Sequence, residues 1–238
     1  MERGHMWCFW SAKGGVGCTV VAAGVALAMA RTTPTLMIDL GGDVAAVLGR
    51  SRVDGPSADG RVGLADWLAA PNPPPDALSR IEFDVAPGLA LLSWDSGRQA
   101  IADPEPPVGD RASVLAQLAD HDDRQVIVDL GPRSDDASRR NELAGRLSSL
   151  ASRSTLVTRA CYLAVRAAER WPRPDDVVVV ARQGRALRSA DVAAAIGSPV
   201  GCELRWDPAV ARAVDSGCFA ARTPRSLRAL ANLIEVGR

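Results

Sequence analysis

The chain has 238 residues, 47% of them hydrophobic, with 28 basic side chains balanced by 28 acidic ones. That length suits one large α/β domain, or at most two small ones, and is ample for a buried core, and the apolar content excludes a disordered chain. Zero net charge gives no global electrostatic footprint for nucleic acid, leaving only a local Arg patch open, and 4% aromatics argue against stacking platforms for single strands.

Short apolar runs alternate with helical segments along the chain. Met6–Ser11 (MWCFWS) reads as a buried strand, followed by a Gly-rich turn and an Ala/Val-rich helix from about Thr19 to Arg31. Leu36–Leu40 is a second strand containing Asp39. Arg50–Arg61 and Ala70–Asp76, with Pro73–Pro75, read as loops, as does Ala102–Gly109. A helix over Asp110–Asp120 follows, then a strand over Gln125–Leu130 (QVIVDL), which carries Asp129. Ser134 is a candidate N-cap for a helix from Asp135 to Leu150. Strands at Ser154–Thr158 and Val177–Ala181, a helix at Ser189–Ile196 stopped by Gly197, and a last helix at Pro224–Val236 complete the pattern. That last helix is expected to bury Leu227, Leu230, Ala231 and Ile234.

Continuous Val/Ile/Leu runs, rather than alternation, mark strands covered on both faces. Strand–helix alternation of this kind predicts βαβ crossovers: an α/β, doubly wound, mostly parallel sheet with helices on both faces. One domain over 1–238 is expected, the loops being too short to join independent modules.

The cysteines, at positions 8, 18, 161, 202 and 218, form no C-x-x-C pair, and there are only two His, which argues against a zinc site or disulfide framework and fits a reducing cytosol. Met6–Trp10 is too short for a signal peptide, and Val20–Ala30 is too short to span a bilayer.

Lys13 is the only lysine among the 28 basic residues. It opens the stretch Lys13-Gly14-Gly15-Val16-Gly17-Cys18-Thr19 between the first strand and its helix, where a phosphate cradle belongs. Glycines let the backbone wrap an anion, and the helix N-terminus adds N–H donors and a positive dipole end. Thr19 stands where a hydroxyl reaches Mg²⁺. The pattern G-x-x-x-x-G-K-[ST] is not met, since Ala12 and Cys18 replace its first Gly and its Lys. A lone compact ammonium in a crowded loop suits a chemical requirement that a guanidinium does not meet.

The string KGGVGxT resembles the deviant Walker A motif of the ParA/MinD ATPases, including the CpaE/TadZ-like and septum-site-determining branches. Pro34–Asp43 (PTLMIDLGGD) is similar to that family's second strand and switch I, and Gln125–Pro132 (QVIVDLGP) to its Walker B strand and switch II. Thr155–Ala168 and Gly197–Gly217 resemble its later strand–helix segments. The resemblance implies a P-loop nucleotide site: Lys13 as the signature lysine that reaches a partner subunit's phosphates, residues Lys13 to Thr19 as the nucleotide loop, and Thr19, Asp39 and Asp129 on the Mg²⁺ side. Lys13 and Asp39 are the candidate catalytic groups.

Three positions depart from the family pattern. Cys18 stands where the cis lysine contacts the β/γ-phosphates, and a neutral thiol cannot replace an ammonium there. Gly41 stands where the second switch I Asp positions the attacking water; Asp43 substitutes only if the loop is rebuilt. Ala181 stands where an Asn reads adenine. The resemblance thus implies a cytoplasmic positioning or scaffold protein, homodimeric through its loop face, with ATP/ADP and Mg²⁺ as ligands but weak or altered binding and impaired hydrolysis. Its partner would come from division, pilus or secretion machinery, with peripheral membrane association through that partner. Two alternatives stay open: an active ATPase using Lys13 or a partner Arg, and a nucleotide-free interaction module. Cys18 reads as a low-pKa thiol or, preferably, a small packing replacement. The Arg139-Arg140 pair with Arg222, Arg225 and Arg228 is the candidate DNA patch, and the last helix reads as packed rather than lying on a membrane surface. Asp122-Asp123 and Asp135-Asp136 read as solvated acids.

Overall fold

The computed structural model describes residues 5–50, 62–94, 108–121 and 124–235. β1 (Met6–Ser11) is followed by α1 (Cys18–Met29), β2 (Thr35–Asp39), and the short helices α2 (Val44–Val47), α3 (Leu64–Ala69) and α4 (Ala77–Ile81). A hairpin of β3 (Phe83–Ala86) and β4 (Leu89–Ser93) leads to α5 (Val108–His121), β5 (Gln125–Pro132), α6 (Arg139–Leu150) and β6 (Arg153–Arg159). The chain ends with α7 (Tyr162–Ala168), β7 (Asp176–Ala181), α8 (Ser189–Ile196), β8 (Val200–Arg205), α9 (Pro208–Asp215), a 3₁₀ turn (Arg225–Ala229) and α10 (Leu230–Glu235).

The strands form one eight-stranded sheet in the order β3-β4-β2-β5-β1-β6-β7-β8, parallel throughout except for the β3–β4 hairpin. The fold class is the expected one: α/β, doubly wound, with helices on both faces. β1 shows why. Met6, Cys8 and Trp10 face one core, with Leu115 of α5 and Leu143 and Leu147 of α6. Trp7 and Phe9 face the other, with Val21 and Val25 of α1 and Leu230 and Leu233 of α10. Side chains alternate across the sheet while both faces are covered, so the whole run is apolar and buried. Each large aliphatic or Phe side chain fully buried this way stabilises the fold by about 1.5–3 kcal/mol.

Several boundaries differ from the sequence reading. α6 begins at Arg139, not Asp135, and is capped by Ser138, which accepts from the Asn141 N–H at 3.3 Å. Upstream, the Asp136 carboxylate accepts from the Ser138 N–H, the Ser134 hydroxyl and the Asn141 amide, a local turn that competes with helix. α5 starts at Val108, so the loop expected over Ala102–Gly109 ends two residues early; its other residues, 51–61 of the Arg50–Arg61 loop and Asp122-Asp123 lie outside the described residues. The final helix opens as a 3₁₀ turn, which rotates its apolar face: Leu227, Leu230 and Leu233 are buried and Ala231 is exposed. Leu230 meets α1 at Gly24, where an added Cβ would stand 2.9 Å from the Leu230 methyl group. The apolar stripe is thus used in packing. No described helix is long and apolar enough to cross a membrane.

Candidate functional site

The carboxyl ends of the parallel strands open on one edge of the sheet, where ligands sit in open α/β folds. β1 hands the chain to the glycine loop there. Gly15 (φ 73°) and Gly17 (φ 98°) take left-handed conformations that a side chain resists, which turns the backbone around open space. A Cβ added at Gly14, Gly15 or Gly17 would meet nothing within 4 Å. Gly17 is the N-cap of α1 and supplies no side chain, and no acidic residue lies in the first turn. The loop is a cradle whose helix dipole has no carboxylate in that turn to answer it. Lys13 and Gly14 are exposed, Val16 is buried beneath the loop, and Thr19 is half-buried.

Beneath the loop lie two carboxylates. Asp39 closes β2 and Asp129 lies on β5, in register on neighbouring strands, and both are 0% exposed. Asp39 accepts from the Gly42 N–H at 2.7 Å and the Val44 N–H at 2.9 Å, fixing the turn into α2. Burial, then the Asp129 charge, pushes its pKa up to about 7. Asp129 Oδ1 accepts from the Gly131 N–H at 3.0 Å, while its Oδ2 makes no well-formed hydrogen bond. Burial raises its carboxyl too, and the neighbouring Thr19 hydroxyl opposes that rise.

Cys18 does not point into the cradle. Its thiol turns inward and donates to Asp129 Oδ1 at 3.4 Å, with the residue 6% exposed. Burial and the Asp129 charge push the thiol well above its ordinary range. The reading of Cys18 as a low-pKa thiol is therefore overturned: burial, reinforced by the Asp129 carboxylate, favours the protonated thiol, and the packing reading stands.

Gly41 sits over both carboxylates. A Cβ there would stand 3.3 Å from Asp129 Oδ2, 3.4 Å from Asp39 Oδ1 and 3.8 Å from Thr19 Oγ1. The structure thus brings Thr19, Asp39, Gly41 and Asp129 together. Asp43 is exposed at the start of α2 and makes no capping bond. No group of three or more His, Cys, Asp or Glu able to hold a metal occurs among the described residues. Mg²⁺ is ordinarily held by one or two carboxylates together with nucleotide phosphates, and the bare Asp129 oxygen beside Thr19 fits that donor set.

Two arginines were read differently from the sequence. The Arg140 guanidinium donates to the carbonyls of Leu40 and Leu130, each one residue beyond a buried Asp, and Arg139 donates to the Leu68 carbonyl at 3.1 Å. Those two members of the expected surface patch are tied to the fold; Arg222, Arg225 and Arg228 are exposed.

On the other side of the loop is a cavity of about 290 Å³. Gly15 and Gly17, the valines Val20, Val180 and Val210, and Arg159 are among its walls. Ala181 ends β7, and its carbonyl accepts from the Trp206 N–H at 2.7 Å. Arg159 ends β6 and its guanidinium donates to the Gly15 carbonyl. Neither Arg159 nor Trp206 stood out in the sequence; their position just after apolar strands was the available signal, since parallel strands end at the same edge.

No family model matches the sequence, and no curated protein matches it. Solved structures do. The ParA family ATPase from Chlorobium tepidum TLS superposes with a TM-score of 0.72 at 19% identity, over 100% of this chain and 98% of that one. The MinD cell division protein of Aquifex aeolicus gives 0.74 at 15% identity, over 98% and 96%. The septum site-determining protein MinD from Pyrococcus horikoshii OT3, complexed with Mg-ADP, gives 0.72 at 17%, over 98% and 95%. The fold is therefore that of the ParA/MinD ATPases.

Proposed function

We propose that this chain is a divergent ParA/MinD-like positioning or scaffold protein that binds adenine nucleotide weakly and hydrolyses it slowly or not at all. The observation that carries this reading is Cys18. The side chain at the cis-lysine position is neutral, buried and directed at Asp129, so it brings no charge to the cradle. Without a charge-assisted hydrogen bond at that position, binding is weaker by about 1.5–3 kcal/mol, or roughly ten- to a hundredfold in affinity. Gly41 brings no carboxylate to hold an attacking water, which bears on turnover rather than binding.

What remains favours binding. The loop is open, α1 presents its N–H groups, and Thr19 and Asp129 Oδ2 stand ready for a metal-bound nucleotide. Mg²⁺, when bound with nucleotide, would supply charge neutralisation between the phosphates; Thr19 and Asp129 would hold it, with Asp39 behind them. Exposed Lys13 makes no hydrogen bond or ion pair with the described residues, which leaves its ammonium free to reach a second copy's phosphates across a loop-to-loop homodimer. The Pyrococcus MinD structure, with its Mg-ADP, supports the choice of ligand.

Calorimetry with ATP, ADP and Mg²⁺, read together with mass in solution and steady-state phosphate release, tests the reading. Expected are saturable, Mg²⁺-dependent ATP binding, a shift toward dimer, and little phosphate release. No binding at high protein concentration would leave a nucleotide-free interaction module. Release that vanishes in Lys13→Ala would instead establish a working ATPase.

A further inference from the structure

We propose that Arg159 supplies in cis the positive charge that the loop lacks at Cys18, and that Arg159, Arg182, Arg185 and Trp206 form the rim of a nucleoside triphosphate site. This rests on the reading that the loop takes a nucleotide.

Arg159 stands on the strand next to β1, and its guanidinium donates to the carbonyl of Gly15 inside the cradle. It is exposed, and it lines the larger cavity together with Gly15 and Gly17. A second, small cavity of about 30 Å³ lies beside the first and shares Arg159 with it. Its walls are Arg159, Ala160, Val180, Arg182, Arg185 and Trp206: three guanidinium groups and no carboxylate. None of the three is in an ion pair with a described residue. Like charges gathered without a counter-charge repel, and a bound anion relieves that repulsion.

No carboxylate lines the small cavity, and the acids nearby lie on the neighbouring walls. Glu203 lines a neighbouring cavity with Arg182 and Arg205 and accepts from the Ser189 hydroxyl. Asp207 accepts from the Ala209 N–H at 2.8 Å as the cap of α9, and Asp215 lies on the wall of the larger cavity.

The other half of the ligand is read from the larger cavity. Its wall of Val20, Val180, Leu204 and Val210 suits a flat apolar face, and Trp206, 50% exposed, stands at its edge with the Arg182 guanidinium 5.2 Å from the ring centre. A base over the apolar wall and phosphates on the glycine loop beside Arg159 bring one molecule to the edge of both cavities. Guanidinium groups bind phosphate oxygens in pairs, so Arg159 meets a need that the neutral Cys18 cannot.

The test is calorimetric titration of the full chain with Mg-ATP. Arg159→Gln keeps a donor for the Gly15 carbonyl but removes the charge. It is expected to weaken binding about ten- to a hundredfold and to flatten its salt dependence. Arg159→Lys should recover part of the loss, and Arg80→Ala, an exposed arginine on α4, should change nothing. Unchanged affinity and salt dependence in Arg159→Gln would overturn the assignment of Arg159 while leaving nucleotide binding intact. A wild-type chain that binds no Mg-ATP would remove both. If Arg159→Gln lowers the melting temperature, the Arg182→Ala/Arg185→Ala pair, which leaves the Gly15 hydrogen bond untouched, decides: weaker binding supports the rim and unchanged binding overturns it.

Discussion

The two sides of the glycine loop are built on opposite principles. Toward β2 and β5 the site is dense: Asp39 and Asp129 are fully buried, their oxygens mostly occupied by backbone N–H groups and the Cys18 thiol, with Arg140 clamped over the adjoining carbonyls. Toward β6, β7 and β8 it is open, arginine-rich and fronted by Trp206. On the first side the polar groups are tied into the protein, and on the second the charges stay exposed.

The largest disruption is expected where the two sides touch. Gly49, just after α2, has a φ of 74°, and an added Cβ would stand 1.9 Å from the carbonyl oxygen of Gly217, just beyond α9. Gly49→Ala should therefore destabilise by several kcal/mol, roughly 3 or more, in urea unfolding, because backbone cannot give way as a side-chain tip can. A loss below about 1 kcal/mol would show that the two sides are not rigidly joined.

Arg140→Ala tests the dense side alone. Losing charged donors to two carbonyls should cost about 2–3 kcal/mol. Retention of full stability would mean that water replaces the guanidinium and that the clamp is unimportant.

Cys18→Lys tests whether the dense side has only lost a charge. Mg-ATP binding should tighten about ten- to a hundredfold. Unchanged affinity would show that Asp129 captures the new ammonium and keeps it out of the cradle.

The smallest effect is a slope with pH. Folded, Asp39 keeps its proton to about pH 7, whereas an unfolded Asp releases it near 4. Between those values the folded chain binds more protons, so this residue's contribution to stability declines as pH rises from about 4 to 7, and the decline is complete above that. Asp129→Asn removes one cause of the shift and should flatten the melting-temperature profile between pH 5 and 8. Parallel profiles for the two proteins would mean that the Asp129 charge contributes little to the rise of Asp39.

Much of this was legible along the chain. Apolar runs located five of the strands within one or two residues, because a strand covered on both faces has no polar position to disguise it. The β3–β4 hairpin was missed: it is short and at the sheet edge, and β3 is only partly buried. The glycine spacing located the cradle, and Gly15 and Gly17 have the backbone conformation that spacing implied.

The sequence by itself determined that a glycine-rich loop follows the first strand, that position 18 in it holds a thiol, and that two of the apolar strands carry an acid near their ends. These are local facts, written in residue type and spacing. Only the tertiary structure decided which way Cys18 points, since Asp129 lies 111 residues away. It also decided that Arg140 is half-buried and tied to backbone carbonyls, and that Arg159 reaches Gly15, 144 residues distant. The direction and neighbours of a side chain are set by strand order, and strand order is fixed by burial of the whole sheet rather than by any segment of it.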